Sequence, residues 1–558
     1  MKKKKIFAFF MFISLFGFIL STILINPLGD LDEIWNYNVA RNIAKGLIPY
    51  KDISTITTPF LPMLNSIFLR FFADELIVMR ILAAILLIGI FYVIYKILKN
   101  ITTENNISFI MTFAIAILFS KSYCIDYNYM TLFLTLVLTY NEILKKKKCE
   151  INNNLILNDK NQILFNIKQG ILAGLAVCTK QSIGFFVAIA TVIYPFLEIN
   201  VSKKEKIFSK QKMKQVGFRI CGIAIPGILL VLYLSVTGAW NDFISYAVKG
   251  ISTFSNSIPY NMLYKENTII EILARILPFA IGLEILLILI FFIKDLKKAR
   301  EINELNNVEG KGLTSDFKSI IKILTVYSLP MLIVIYPISD RIHFLIGSLM
   351  TWLEIFFIVF CVIKKLIYTR KSGNKELDSV KTKFNKISSK ILSFNWSFIF
   401  KSIIMVIGIL IFDFILLVTC NNLAIYMQED LNQDVLHYHG IEISENLKER
   451  MKAIEEFTAK KESQGKKVYI LDAEAAVYNI PIEKYTKNYD MFLKGNIGKD
   501  GEEGIIDKIK SNSENVIYLI KQDGYSLNWQ IPTKVIDYVK NNFKKIENVD
   551  IFTAYLLN

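Results

Sequence analysis

The stretch from Gly29 to Asp52, GDLDEIWNYNVARNIAKGLIPYKD, carries three carboxylates within four residues: Asp30, Asp32 and Glu33. A carboxylate beside a hydroxyl can take or orient its proton while a neighbouring carbon develops positive charge, so such a cluster suits general-base work. Asp32 is the first candidate for the base and Glu33 the second, with Asp30 a candidate for contacting substrate. Aspartate is also a favoured helix N-cap, accepting from free backbone N–H groups. Capping by Asp30 or Asp32 accounts for one acid of the three and leaves a chemical role open for the others.

A second set of residues suits the handling of a phosphate. Guanidinium groups grip phosphate oxygens in a forked geometry, and Arg341 stands two residues before His343 in the short segment YPISDRIHF, 336–344. Lys180, between two apolar runs in CTKQSIGF, offers a point charge. The plain alternatives are cations that snorkel to a membrane interface and a histidine satisfied by its neighbours. Arg41, Tyr50 and Asp52 complete the candidate substrate-binding residues, although Asp52 equally suits a turn. Asp126 and Tyr127, in another short turn, rank behind these. His437 and His439 form an HxH pair without cysteine or carboxylate spacing of a metal site. No metal ligand is therefore assigned, and a divalent ion is not indicated.

The elements that position these residues are membrane spans. Ile6 to Ile25 is apolar, follows the basic start MKKKK, and is about as long as the ~20 residues that cross a hydrocarbon core. It is longer than a secretory signal core and lacks a small-x-small cleavage site, so it reads as an anchor. The whole chain has 558 residues, 53% of them hydrophobic, with 41 Phe and 26 Tyr, and a mean hydropathy of +0.41. That is the composition of a membrane bundle with aromatic belts. The net charge of +16 lies in runs between apolar segments, at 145–148, 203–214, 294–300 and 364–371. Such runs mark cytoplasmic loops, and with no separate basic stripe they exclude nucleic acid as the expected partner. The six cysteines are scattered without metal spacing and read as small core residues.

Apolar runs near 6–25, 76–98, 107–121, 127–144, 164–180, 183–199, 217–237, 269–293, 319–338, 342–364 and 399–421 predict about eleven transmembrane helices. An odd number puts the N-terminus in the cytoplasm and the C-terminus outside. The expected fold is an α-helical polytopic membrane domain over 1–421, with the catalytic outer loop at 26–75, followed by a small extracytoplasmic α/β domain over 422–558. That domain is predicted to hold helices 443–463, 503–512 and 532–543 and strands 468–472, 515–520 and 549–556. Within the loop, Ile34 to Lys45 is predicted to be an amphipathic helix on the membrane surface, capped by Asp32, striped by Trp35, Val39 and Ile43, and ended by Gly46 and Pro49.

An acidic pair after the first span, a helix reading A-R-x-I-x-x-G-x-x-P-Y-x-D, and then T-x-P resemble the first outer loop of the GT-C membrane glycosyltransferases. The matching residues are Asp32, Glu33, Ala40, Arg41, Asn42, Gly46, Pro49, Tyr50, Asp52, Thr58 and Pro59. Lys180 in CTKQSIGF, the segment YPISDRIHF, and DMFLKGNIG at 490–498 resemble further elements of bacterial members. The resemblance, to protein O-mannosyltransferases and aminoarabinose transferases among others, implies transfer of a hexosyl or pentosyl group, with inversion. The implied donor is a polyprenyl-phosphate sugar and the acceptor an envelope glycan, lipid or protein, at the outer face of a bacterial plasma membrane. No dense cluster of metal ligands accompanies it. Two other classes remain open on the residues: a lipid or sugar transporter or flippase, and a non-catalytic membrane protein that binds envelope polymers. The absence of inverted repeats and the gathering of charge at one face speak against transport.

Overall fold

In a computed structural model, residues 2–151, 159–198, 207–253, 257–266, 268–301, 313–372, 396–512 and 514–557 are described. Each apolar run forms a helix. In chain order these are α1 (Lys2–Leu24), then two short helices of the first loop, α2 (Leu31–Ala44) and α3 (Phe60–Phe71). The bundle continues with α4 (Leu76–Thr102), α5 (Asn105–Phe119), α6 (Tyr127–Ile151), α7 (Asp159–Thr179), α8 (Gln181–Leu197) and α9 (Lys210–Val236). After the one-turn α10 (Trp240–Phe243) come α11 (Ile269–Glu301), α12 (Leu313–Met331), α13 (Arg341–Ser372) and α14 (Trp396–Gln428).

Nine of these helices are long and apolar enough to cross a membrane among the described residues. The shorter apolar α8 and the more polar α6 bring the bundle to the eleven helices expected. The chain is thus a multi-pass membrane protein. Of the basic loops, residues 203–206 lie outside the described residues, as does the linker 373–395.

The domain that follows contains α15 (Glu445–Glu462), β1 (Lys467–Ile470), α16 (Ala475–Asn479), α17 (Gly501–Asn512), β2 (Val516–Lys521), α18 (Thr533–Asn542), β3 (Lys544–Val549) and β4 (Phe552–Leu556). Its four-stranded sheet runs β1-β2-β4-β3, with β1 and β2 parallel and β4 antiparallel to both neighbours. The single strand expected at 549–556 is instead a hairpin. Lys544 to Val549 pairs back on β4 through a turn at Asp550, whose φ is 48°. Its burial does not alternate, so nothing in that stretch announces a strand.

Two expectations for the first loop are corrected. The helix begins at Leu31 rather than Ile34, and Asp30, not Asp32, is the cap: Asp30 Oδ1 accepts from the N–H of Asp32 at 3.0 Å and of Glu33 at 3.4 Å. The helix is also not a surface helix. Eight of its residues, including Glu33, Asn38, Arg41 and Asn42, are buried, because it is clamped between the bundle and the C-terminal domain. On the bundle side Arg80 of α4 grips Glu33 through Nε at 2.9 Å and Nη2 at 3.0 Å. On the domain side Trp35 Nε1 donates to the Ala473 carbonyl at 2.9 Å and Asn38 Nδ2 to Asp490 Oδ2 at 3.1 Å.

Candidate functional site

With Asp30 closing the end of α2 and Glu33 locked onto Arg80, the side chain between them is left with neither task. Asp32 keeps accessible surface although protein surrounds its carboxyl, as for a group lining a recess. Burial raises its pKa to about 7, helped by the charges of Asp126, Asp30 and Asp340 and opposed by His343. Those causes locate the other walls. Asp126 ends the short turn before α6, Asp340 and His343 lie at the start of α13, and Lys180 interrupts the backbone between α7 and α8.

Asn128 links two of these walls. Its Nδ2 donates to Asp126 Oδ2 at 2.6 Å and its Oδ1 accepts from Lys180 Nζ at 2.7 Å. The ammonium also lies 4.7 Å from the ring centroid of Tyr127. Burial lowers the Lys180 pKa to about 8 against the pull of Asp126, Asp32 and Asp340. The same burial pushes Asp126 upward, opposed chiefly by Lys180 and His343. His343 Nδ1 and its own backbone N–H both meet Asp340 Oδ1, at 2.8 and 2.9 Å. The recess thus holds a free carboxylate, a fixed cation and an oriented imidazole, drawn from three separate parts of the chain.

The turn that carries Lys180 is tied to the first loop. Gln181 Oε1 accepts from the N–H of Thr58 at 3.2 Å, its Nε2 donates to the Ile56 and Ala247 carbonyls, and Thr58 Oγ1 donates to the Val177 carbonyl at 2.8 Å. The T-x-P and K-Q-S segments, far apart in sequence, are therefore one joint.

Of the residues singled out in the sequence, Asp32, Lys180 and His343 are brought together, and Asp30 adjoins them as the cap. Arg341 sits two residues before His343, with Nη2 donating to the Leu118 carbonyl at 3.3 Å and Nε buried without a partner. Four others are held elsewhere. Glu33 serves Arg80, and Asp52 Oδ2 accepts from the N–H of Ile48 at 2.8 Å. Tyr50 is fully buried at φ 68° and donates to the Thr57 carbonyl at 2.6 Å. Arg41 pairs with Asp74 at 3.0 Å and reaches Glu483 of the C-terminal domain at 3.4 Å.

Asn128 and Asp340 were invisible to the sequence reading, since a lone amide or acid at the start of a helix acquires meaning only from what folds against it.

Among the described residues, one cluster has metal-ligand geometry: Asp74, His437 and Glu483 bring ligand atoms within 4.8 Å of one another. It is already charge-balanced. Arg41 and Lys45 pair with both carboxylates, and His437 bonds Glu483 and the Asp74 carbonyl. Burial acts to raise the Glu483 pKa, but hydrogen bonds from Lys45 and His437 and the charge of Arg41 outweigh it, leaving about 2. The cluster is an ionic joint between α2 and the domain.

No protein-family model and no curated protein matches the chain. Among solved structures, ArnT from Cupriavidus metallidurans bound to undecaprenyl phosphate aligns over 98% of this chain and 97% of its own, with TM-score 0.52 and 8% identity. Apo ArnT aligns over 100% and 98%, with TM-score 0.49 and 10% identity. The archaeal oligosaccharyltransferase AglB from Archaeoglobus fulgidus, in complex with an inhibitory peptide and a dolichol-phosphate, aligns over 92% of this chain and 70% of its own, with TM-score 0.48 and 14% identity. The chain shares its overall fold with ArnT, a fold of the kind that the first loop's resemblance implied.

Proposed function

We propose that this chain is an integral membrane glycosyltransferase that moves a sugar from a polyprenyl-phosphate donor to an acceptor hydroxyl of the cell envelope, at the outer face. The observation that carries the reading is the convergence on one recess of an unengaged carboxylate with pKa about 7 and a lysine ammonium with pKa about 8. Asp32 takes the proton of the acceptor hydroxyl as its oxygen bonds to the anomeric carbon. The bond from that carbon to the carrier phosphate breaks, and the phosphate leaves with the electron pair. Lys180 and the His343–Asp340 pair meet its charge, and Arg341 stands at the edge to grip it. Asp126 and Asn128 hold Lys180, while Glu33 and Asp30 fix the end of α2 that carries Asp32. Arg41, Tyr50 and Asp52 shape the loop around the acceptor path. The acceptor is a glycan, lipid or protein hydroxyl, the transferred group a hexose or pentose, and the reaction inverting. The fold shared with ArnT, whose structure carries undecaprenyl phosphate, supports the donor class.

Mass spectrometry of envelope glycans and of lipid-linked sugars tests this in cells lacking the chain, complemented with wild type or with Asp32→Asn. The expected result is loss of one sugar substituent and accumulation of its polyprenyl-phosphate donor in the deletion, corrected by wild type only. Unchanged glycans and lipids on deletion contradict it.

A further inference from the structure

Two glutamates within the spans have no part in the recess. Glu284 of α11 and Glu354 of α13 are both 0% exposed. Each lies near the middle of its span, Ile269–Lys297 and Arg341–Lys364, the depth at which an unpaired charge is most costly. Three hydroxyls surround them: Thr325 Oγ1 is 2.8 Å from Glu354 Oε1, and Ser328 Oγ and Thr351 Oγ1 are 3.2 and 3.3 Å from Glu284 Oε2. The two carboxyls are neighbours, each acting on the other. Glu284 Oε1 and Glu354 Oε2 are buried with no donor.

Lys322, Arg275, Lys318 and His343 on these helices are engaged elsewhere. Lys322 of α12 binds Asp295 at 2.6 Å and the Leu197 carbonyl at 2.9 Å, and Arg275 of α11 binds Glu271 at 2.8 Å. Lys318 lies over the Phe291 ring, and His343 of α13 bonds Asp340. On α6 and α8, which pack against α12, Glu142 is paired with Arg219, and Tyr194 and Tyr327 gather around that pair. Among the described residues, no charged group other than its partner acts on either carboxyl.

Two negative charges in apolar surroundings are not sustainable without a counter-charge. The hydroxyls point the same way. Thr325 Oγ1 is also 2.9 Å from the Ile321 carbonyl and Ser328 Oγ 3.1 Å from that of Thr325. Each hydroxyl has one proton; Thr351 gives its proton to Glu284, Thr325 and Ser328 divide theirs between a glutamate and a helix carbonyl, and Glu284 Oε1 and Glu354 Oε2 receive none. What fits among lone pairs and carboxylate oxygens is positive charge.

We propose that Glu284 and Glu354, with Thr325, Ser328 and Thr351, form a binding site for one small monovalent cation, a proton or a sodium ion, inside the bundle. The cation joins α11, α12 and α13. The last two are the helices whose connection carries Asp340 and opens onto His343, so occupancy stiffens one wall of the recess. The site itself does not depend on the transfer reaction.

Thermal unfolding in nanodiscs tests this with wild type, Glu354→Gln and the Glu284→Gln/Glu354→Gln pair, at about pH 6 and about pH 9, in choline chloride or sodium chloride. In choline the wild-type Tm is expected to fall by several degrees more than that of the double variant as pH rises, because deprotonation strands negative charge. Restoration by sodium at the higher pH identifies a sodium site, and no restoration identifies the proton. Infrared spectra add a readout independent of folding yield: wild type at the lower pH should show a protonated-carboxyl band that Glu354→Gln diminishes. Parallel Tm curves for wild type and double variant in every condition, with no band difference, overturn the proposal.

Discussion

Asp32 and Lys180 share one physical situation with opposite consequences. Burial favours the neutral form of each, which brings the acid up to about 7 and the lysine down to about 8. The base must be ionised and the lysine charged, so turnover should climb as pH rises through about 7 and fall as it rises beyond about 8. A kcat/KM–pH profile in nanodiscs checks this, and Lys180→Arg should carry the alkaline limb upward because guanidinium stays charged. Asp32→Asn should lower turnover by about 10²–10⁴-fold. The raised pKa of Asp32 means that its ionised form is a burden on the fold above about 7. The Asn variant should therefore match or exceed wild type in Tm at pH 8. For Arg341, a phosphate contact predicts graded damage, Lys milder than Ala, with part of the loss appearing as a higher donor requirement. Donor titrations of the three proteins report it, and identical curves per folded molecule would exclude Arg341 from the site. At this scale the sequence was informative about residue type but not about division of labour. Three adjacent acids look equivalent in one dimension, and only the helix start at Leu31 assigns one to the cap, one to Arg80 and one to the recess.

At the scale of elements, α2 is the part on which the site depends, and it is held by polar pairs as well as by the burial of Ile34, Tyr37 and Ala40 in the core. Removing one partner of the buried Glu33–Arg80 pair leaves a stranded charge, so Arg80→Ala should cost about 3–5 kcal/mol and Glu33→Gln in that background should recover part of it. Chemical denaturation of wild type and the two variants checks the sign and the coupling. Asp490 presents a parallel case. Its carboxylate accepts from Asn38, from Asn479 at 2.7 Å and from the N–H of Thr486 at 3.0 Å. Asp490→Asn would turn an amide N–H toward one of these donors and should cost about 1–3 kcal/mol, read as earlier proteolysis of the C-terminal domain. The spans were legible because length and apolarity alone define them. The burial of α2 was not, because its covering domain lies some four hundred residues away in the chain, and the α2 pattern, with Trp35 and Val39 on one stripe, resembles that of a surface helix.

At the scale of the whole molecule, positive-inside charge predicts a cytoplasmic N-terminus and an outer C-terminal domain. In a cysteine-free background, Ser526→Cys should react with an impermeant maleimide in intact cells and Lys214→Cys should not. The reverse pattern would put the recess on the wrong face for an envelope acceptor. The central claim is that Asp32 in this recess drives release of the carrier phosphate from a lipid-linked sugar. The direct measurement takes the polyprenyl-phosphate sugar that accumulates without the chain, supplies it with acceptor extract to purified protein in nanodiscs, and follows liberated polyprenyl phosphate at pH about 7.5. Acceptor-dependent release by wild type, reduced about 10²-fold or more in an equally stable Asp32→Asn protein, is the result this account predicts. Equal release by both proteins, or none by wild type, would contradict it.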